Sequence, residues 1–357
     1  MIISRTPFRI SFFGGGSDYP QWYREHGGQV LATTINKYCY ITARYLPPFF
    51  EHRYRVAYSE IENVQNVNDI QHPAVRETLK YLGITRGVEI HYDGDLPARS
   101  GMGSSSAFTV GLLHALYALE GAMVGPEKLT DQSQWIEQKV LEEVVGDQDQ
   151  MLAAFGGLNH LTFSRYSQGV SPIILPRERL QELQSHLMLF YTGVQRRASD
   201  IAGTYVRDAN FQSTMDMVDE GLALLNGGHL ERFGLLLDEA WKIKRSLSPL
   251  VSGFHIDGLY RTAKLAGALG GKVLGAGGGG FVLLFVPPER QANVIAALPG
   301  LLRVPFKFES QGSQIIFYDQ EEDHAAADFA RQETTNGYSI TSAHASMVVE
   351  HLSAKTY

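Results

Sequence analysis

The clearest chemical signal in the chain is the segment Leu96-Pro97-Ala98-Arg99-Ser100-Gly101-Met102-Gly103-Ser104-Ser105-Ser106-Ala107. Val88, Ile90 and Tyr92 alternate with polar residues before it, as in a half-buried strand. Phe108, Leu112, Ala115, Leu116 and Leu119 follow it on one helical face. A Gly/Ser turn opening a helix presents unpaired N–H groups at the positive end of the helix dipole, a setting that suits phosphate. Gly101 and Gly103 let backbone approach an anion, and a serine hydroxyl can reach an accompanying Mg2+. The bland alternative is a serine-capped helix after a tight turn, and a pattern this long argues against it. Two better-known nucleotide loops fail. Gly271-Lys272 is followed by Val273, so there is no Gly-Lys-Ser/Thr. Gly275, Gly277 and Gly280 fit G-x-G-x-x-G, but Phe281–Phe285 then reads as a strand, where a dinucleotide fold needs a helix. The run Gly277–Gly280 instead suggests a backbone wall pressed against another loop or a ligand. A third segment, Gly146-Asp147-Gln148-Asp149-Gln150, places carboxylates before a helix, where N-capping is their ordinary role. Glu137 lies upstream on the preceding helix.

The elements that must hold these segments follow from periodicity. Phe8, Ile10 and Phe12 mark a strand ending at Gly14-Gly15-Gly16, and further strands are expected over 29–46, 54–58, 158–163 and 187–191. Helices are predicted over 74–82, 132–145, 198–208, 211–225, 230–247 and 256–269, the last ending in a Gly270-Gly271 turn. A strand at 281–286, a helix at 288–298 and strands at 304–308 and 314–318 complete an α/β order that fits a split β-α-β unit of ferredoxin type. The expected units are residues 1–175, 176–320 and a tail, 321–357. In the tail, Ile340, Met347, Val348 and Leu352 predict a docked helix.

Composition narrows the field. The chain has 357 residues and a formal charge of −7, with no basic stripe for nucleic acid. Its longest apolar run is six residues, Phe281–Val286, too short to cross a bilayer, and no secretory signal opens the chain. The expectation is a cytoplasmic protein without membrane partners. The single cysteine, Cys39, reads as a buried thiol. Glycine is in excess, 36 residues, and concentrated in the segments above.

Those segments together resemble a known family. Arg5–Tyr19 (RTPFRISFFGGGSDY), Leu96–Ala107 (LPARSGMGSSSA) and Lys272–Leu283 (KVLGAGGGGFVL), in that order and with GDQDQ before the last, resemble the three motifs of the GHMP kinases, named for galactokinase, homoserine kinase, mevalonate kinase and phosphomevalonate kinase. The resemblance implies an α/β (α+β) architecture: an N-terminal domain like the second domain of ribosomal protein S5, then a ferredoxin-like C-terminal domain, with ATP between them. Arg9–Pro20, Asp93–Leu116, Phe190–Ala202 and Lys244–Leu250 look most like kinases of D-glycero-D-manno-heptose 7-phosphate, with the fucokinase domain a close cousin.

The resemblance also implies roles. Asp149 takes the position of the catalytic aspartate that accepts the acceptor proton, and Arg9 that of the basic residue keeping it ionised. Ser105 and Glu137 match the Mg2+ ligands, with Ser104 and Ser106 as the neighbouring alternatives for the serine. Gly101, Met102, Gly103, Ser104, Ser105 and Ser106 would face the ATP phosphates, and Asp18, Gly15, Gly16, Gly277 and Gly278 the sugar. Galactokinase-like members carry Gly-Glu-His where this chain has Gly14-Gly15-Gly16, so galactose is not the expected sugar. Arg196 and Arg197 are the candidate cations for a sugar phosphate. The expected activity is an ATP- and Mg2+-dependent kinase making heptose 1,7-bisphosphate from the 7-phosphate. A kinase of an unphosphorylated sugar such as fucose and a non-catalytic sugar- and ATP-binding regulator are the alternatives. Oligomeric state is left open.

Overall fold

The computed structural model describes residues 1–319 apart from positions 48, 196–197 and 207–208. The tail helix expected at 340–354 and the arginines at 196 and 197 therefore lie outside the described residues. The chain begins with β1 (Ile2–Phe13), α1 (Pro20–His26), β2 (Gly28–Tyr45), β3 (Tyr54–Ala57), β4 (Ile61–Val64), α2 (Pro73–Leu82) and β5 (Val88–Gly94). Next come α3 (Ser104–Leu119), α4 (Pro126–Trp135), α5 (Gln148–Phe155), β6 (Leu158–Phe163), β7 (Gln168–Pro172), α6 (Arg177–His186) and β8 (Leu187–Tyr191). Helices α7 (Ala198–Ala202), α8 (Gln212–Gly227), α9 (Leu230–Ser246) and α10 (Phe254–Leu265) lead to β9 (Gly270–Val273) and β10 (Phe281–Phe285). The described chain finishes with α11 (Gln291–Ala297), β11 (Leu302–Val304), β12 (Phe308–Glu309) and β13 (Gln314–Tyr318).

Two sheets result. The larger runs β13-β1-β2-β5-β3-β4, with β6 and β12 also on β2 and β7 on β6. The smaller runs β11-β8-β10-β9, wholly antiparallel. In chain order that is strands 4-1-3-2, the ferredoxin-like arrangement expected from the sequence, with α7–α10 filling its first crossover. Strand β1 explains itself by alternation: Phe8, Ile10 and Phe12 are all fully buried on one side, so Arg9 and Ser11 emerge on the other. Cys39 is a buried free thiol, as expected. Among the described residues no helix is long and apolar enough to cross a membrane.

Three expectations change. The segment at 304–308 is not one strand: β11 joins the small sheet, while β12 and β13 return to β2 and β1. Pairing thus carries part of 176–320 back into the first sheet. The helix expected over 132–145 is α4, begun earlier at Pro126, and a π-turn over Ile136–Val140 ends it. Gly270-Gly271 is not a turn but the start of β9. Glycine is needed there because α9 packs on the strand backbone, and a Cβ at Gly270 would overlap the Gly234 carbonyl oxygen.

That contact is testable. Gly270→Ala should lose roughly 1–3 kcal/mol of stability, the usual cost of overpacking, read as a lower denaturant midpoint at unchanged slope. An unchanged midpoint would mean that α9 and β9 are not packed backbone to backbone.

Candidate functional site

Strand β1 projects Arg9 into a junction of three segments. Its Nε and Nη2 donate to Asp149 Oδ1 and Oδ2 at 2.7 and 2.8 Å, a two-point ion pair. Its Nη1 donates to the Gly101 carbonyl at 2.6 Å, and its backbone N–H to the Met102 carbonyl at 3.1 Å. The glycine loop therefore sits directly on the pair. A Cβ at Gly103 would come within 3.2 Å of Arg9 Cγ and 3.3 Å of Asp149 Oδ2. Gly101 and Gly103 both have positive φ, 80° and 74°, which glycine adopts without strain. Met102 is fully buried and anchors the loop from below.

Asp149 lies in the first turn of α5, with a side chain 24% exposed, whereas Arg9 is almost wholly covered. Capping does not explain the neighbouring carboxylate either. Asp147 makes no cap bond; it accepts from Tyr23 Oη at 2.6 Å, from Gln168 Nε2 at 2.8 Å and from Gln138, and burial pushes its carboxyl up to about 6.

Glu137 is fully buried in the π-turn, and its environment is lopsided. Ser106 Oγ and Gln150 Nε2 both donate to Oε2, at 2.9 and 2.5 Å, while Oε1 has no hydrogen-bond partner. Burial pushes the carboxyl up to about 7, against hydrogen bonds that favour its ionised form. The serine beside Glu137 is therefore Ser106 and not Ser105. The helical phase of α3 turns Ser106 inward with Val110 and Leu113, whereas Ser105 is exposed on the first turn beside Ser104.

Asp18 is buried at the end of the Gly14–Gly16 turn. It accepts from the Gly16 N–H at 2.9 Å and from Gln148 Nε2 at 2.9 Å, and Gly146 closes on its Oδ2. Gly15 faces Ser11 Oγ and Gln148. Gly277 and Gly278 close on Val251, whose carbonyl accepts the Gly278 N–H at 2.8 Å. The glycine wall does press on another loop, with Gly275 against Gly101 and Gly280 against Ser100. Sequence reasoning passed over Ser11 and Gln148, each buried with an orphaned oxygen, and took the lysines at 244 and 272 only as parts of the motif segments, without a role. Ser11 had a legible signal, the two-residue period that puts it on the Arg9 face of β1.

The chain is similar to known proteins over most of its length. The GHMP kinases N terminal domain matches residues 68–157, and the GHMP kinases C terminal domain matches residues 222–303. A D-glycero-alpha-D-manno-heptose 7-phosphate kinase of Campylobacter jejuni is 29% identical over 318 residues, covering 83% of this chain and 93% of that protein. A bifunctional fucokinase/GDP-fucose pyrophosphorylase of Arabidopsis thaliana is 24% identical over 80% of this chain but only 30% of its own length. The structure of a D-glycero-D-manno-heptose 1-phosphate kinase of Bacteroides thetaiotaomicron aligns with a TM-score of 0.73 at 25% identity, over 90% of this chain and 100% of that one.

The buried Glu137 generates a pH dependence. Its carboxyl is raised in the folded state from an ordinary value near 4.5 to about 7, so the protonated form is favoured by folding. The stabilisation is full below the ordinary value and is lost as pH rises through about 7. In chelator-treated protein, Glu137→Gln should remove a pH-dependent loss on the order of 3 kcal/mol. Melting curves of wild type and variant across this range should diverge, and parallel curves would sink the assignment.

Proposed function

The chain belongs to the GHMP kinases and is a sugar kinase of that family, and we propose that it transfers the γ-phosphoryl group of ATP to the anomeric hydroxyl of D-glycero-D-manno-heptose 7-phosphate, with Mg2+. The observation that carries the reading is the Arg9–Asp149 pair lying under the Gly101–Ser106 loop. A partly exposed carboxylate beside a phosphate-binding turn is what acceptor deprotonation requires. The named activity of the Campylobacter jejuni relative supplies the sugar. A cytoplasmic setting, where ATP is available, belongs to the same reading, as does a division into units at 1–175, 176–320 and 321–357.

In this mechanism Asp149 accepts the proton of the anomeric hydroxyl, which is more acidic than an ordinary alcohol. Arg9 orients Asp149 through both of its oxygens. The loop's backbone N–H groups and the start of α3 receive the triphosphate, with Ser104 and the exposed Ser105 at its edge. The residues present fit a hard divalent cation. Glu137 holds a buried, unpartnered Oε1, and the Ser106 hydroxyl is an oxygen donor beside it. When bound, Mg2+ neutralises phosphate charge during transfer. Asp18 with Gly15, Gly16, Ser11 and Gln148 orients the sugar hydroxyls. Arg196 and Arg197, outside the described residues, keep their proposed part in binding the sugar phosphate.

The test is a panel of sugars and sugar phosphates with ATP, the product analysed by NMR for the position of the new phosphate. Heptose 7-phosphate should be turned over best, with phosphate arriving at C1. Preference for fucose or another neutral sugar would favour the alternative that the Arabidopsis thaliana relative suggests. In the same assay Asp149→Asn should lower turnover about 10²–10⁴-fold while ATP still binds. A folded variant that keeps more than about a tenth of wild-type kcat would move the base elsewhere.

A further inference from the structure

At the junction of the sheets, buried Lys272 and half-buried Lys244 lack the counter-ions that desolvated charges need. Lys272 is enclosed in β9, and its Nζ donates to the Phe12 carbonyl at 2.9 Å, at the end of β1 where the Gly14–Asp18 turn begins. Lys244, near the end of α9, donates to the Val273 carbonyl at 3.0 Å and to the Gly275 carbonyl. Neither forms an ion pair among the described residues, and their acceptors are backbone oxygens only. An ammonium group carries three donors, so unused N–H groups remain on both. Burial pushes Lys272 down to about 7 and Lys244 well below its ordinary range.

The surrounding charges do not resolve the deficit. Arg9 and Asp18 act on both lysines, and Lys272 acts on Lys244. Asp149 is engaged at both oxygens by Arg9, and Asp18 by Gly16 and Gln148. Three basic groups thus face two carboxylates that already have partners, and burial favours the neutral form of both lysines until an anion arrives. Desolvated ammonium groups without a counter-ion are costly, and an arriving anion removes that cost. Location indicates which anion. The lysines connect the turn that carries Asp18 with the Gly275 corner, whereas the Gly101–Ser106 loop, α3 and Glu137 already provide for the nucleotide's phosphates.

We propose that Lys244 and Lys272 form an anion site for a phosphate group of the acceptor, so that the enzyme selects a phosphorylated sugar over a neutral one. This rests on the sugar-kinase reading and adds to it two residues that share with Arg196 and Arg197 the selection of substrate class. Two sources of phosphate have the same chemistry, the acceptor and the nucleotide, and the experiment separates them.

Lys244→Met, Lys272→Met and the double variant keep the aliphatic stem and remove the charge. Removing an unpaired buried charge need not cost stability, and Lys272→Gln serves if a methionine variant misfolds. Binding of heptose 7-phosphate and of the unphosphorylated heptose is measured by calorimetry, with AMP-PNP and Mg2+ filling the nucleotide site. Each variant should bind heptose 7-phosphate roughly 10–100-fold more weakly, while its affinity for the neutral heptose and for AMP-PNP moves less than about threefold. Equal losses for both sugars, no loss at all, or a loss confined to AMP-PNP would overturn the proposal. If wild type binds neither heptose, the heptose reading itself falls, and inorganic phosphate then judges the lysines. A rise in the Tm of AMP-PNP-loaded wild type that the double variant lacks supports the anion site. The same rise in both, or in neither, overturns it.

Discussion

The two-point ion pair between Arg9 and Asp149 is the contact on which the rest of the site depends. It joins residues 140 positions apart, and through the Gly101 and Met102 carbonyls it also fixes the glycine loop. Strand β1, α5 and the entry to α3 are thereby held in one geometry. Such a pair is weak evidence for stability, because desolvating two charges offsets most of their attraction. Its value is positional: the carboxylate is held partly exposed and aimed, next to the glycine loop.

Close backbone approach is the second constraint. The N-terminal loop and the third motif meet where Gly101 faces Gly275 and Ser100 faces Gly280, with no room for a Cβ on these glycines. At this point the two sheets meet across backbone, while Phe12, Phe13, Phe233 and Phe285 pack side chain to side chain between them in one core. The glycine excess in the composition is the trace of this requirement.

The π-turn after α4 serves the same site. An extra residue in the turn bends the helix out of its regular phase, and Glu137 falls within that turn, facing Ser106 and Gln150. The chain then leaves helical geometry through Glu142, at a φ of 54°, and reaches Gly146, where only glycine fits against Asp18. A helix continued to Val145, as periodicity suggested, would have moved both carboxylates.

Much of this was written locally. The strand, glycine turn and helix around Leu96–Ala107 are set by neighbouring residues, because φ freedom, capping and periodicity act over a few positions. The motif order marked the family, and Arg9, Asp149, Asp18 and Glu137 were legible within it. What the chain could not reveal locally depends on contacts between distant segments. Ser106 rather than Ser105 meets Glu137 because helical phase matters only once α3 has packed against the π-turn. β12 and β13 rejoin β2 and β1 because two edge positions are open there, a fact of the assembled sheet. Lys272 meets Phe12 across 260 residues of chain, and nothing in either neighbourhood announces it. Local sequence selects conformations, but burial and charge balance are properties of the whole packed interior, and only the tertiary structure decides them.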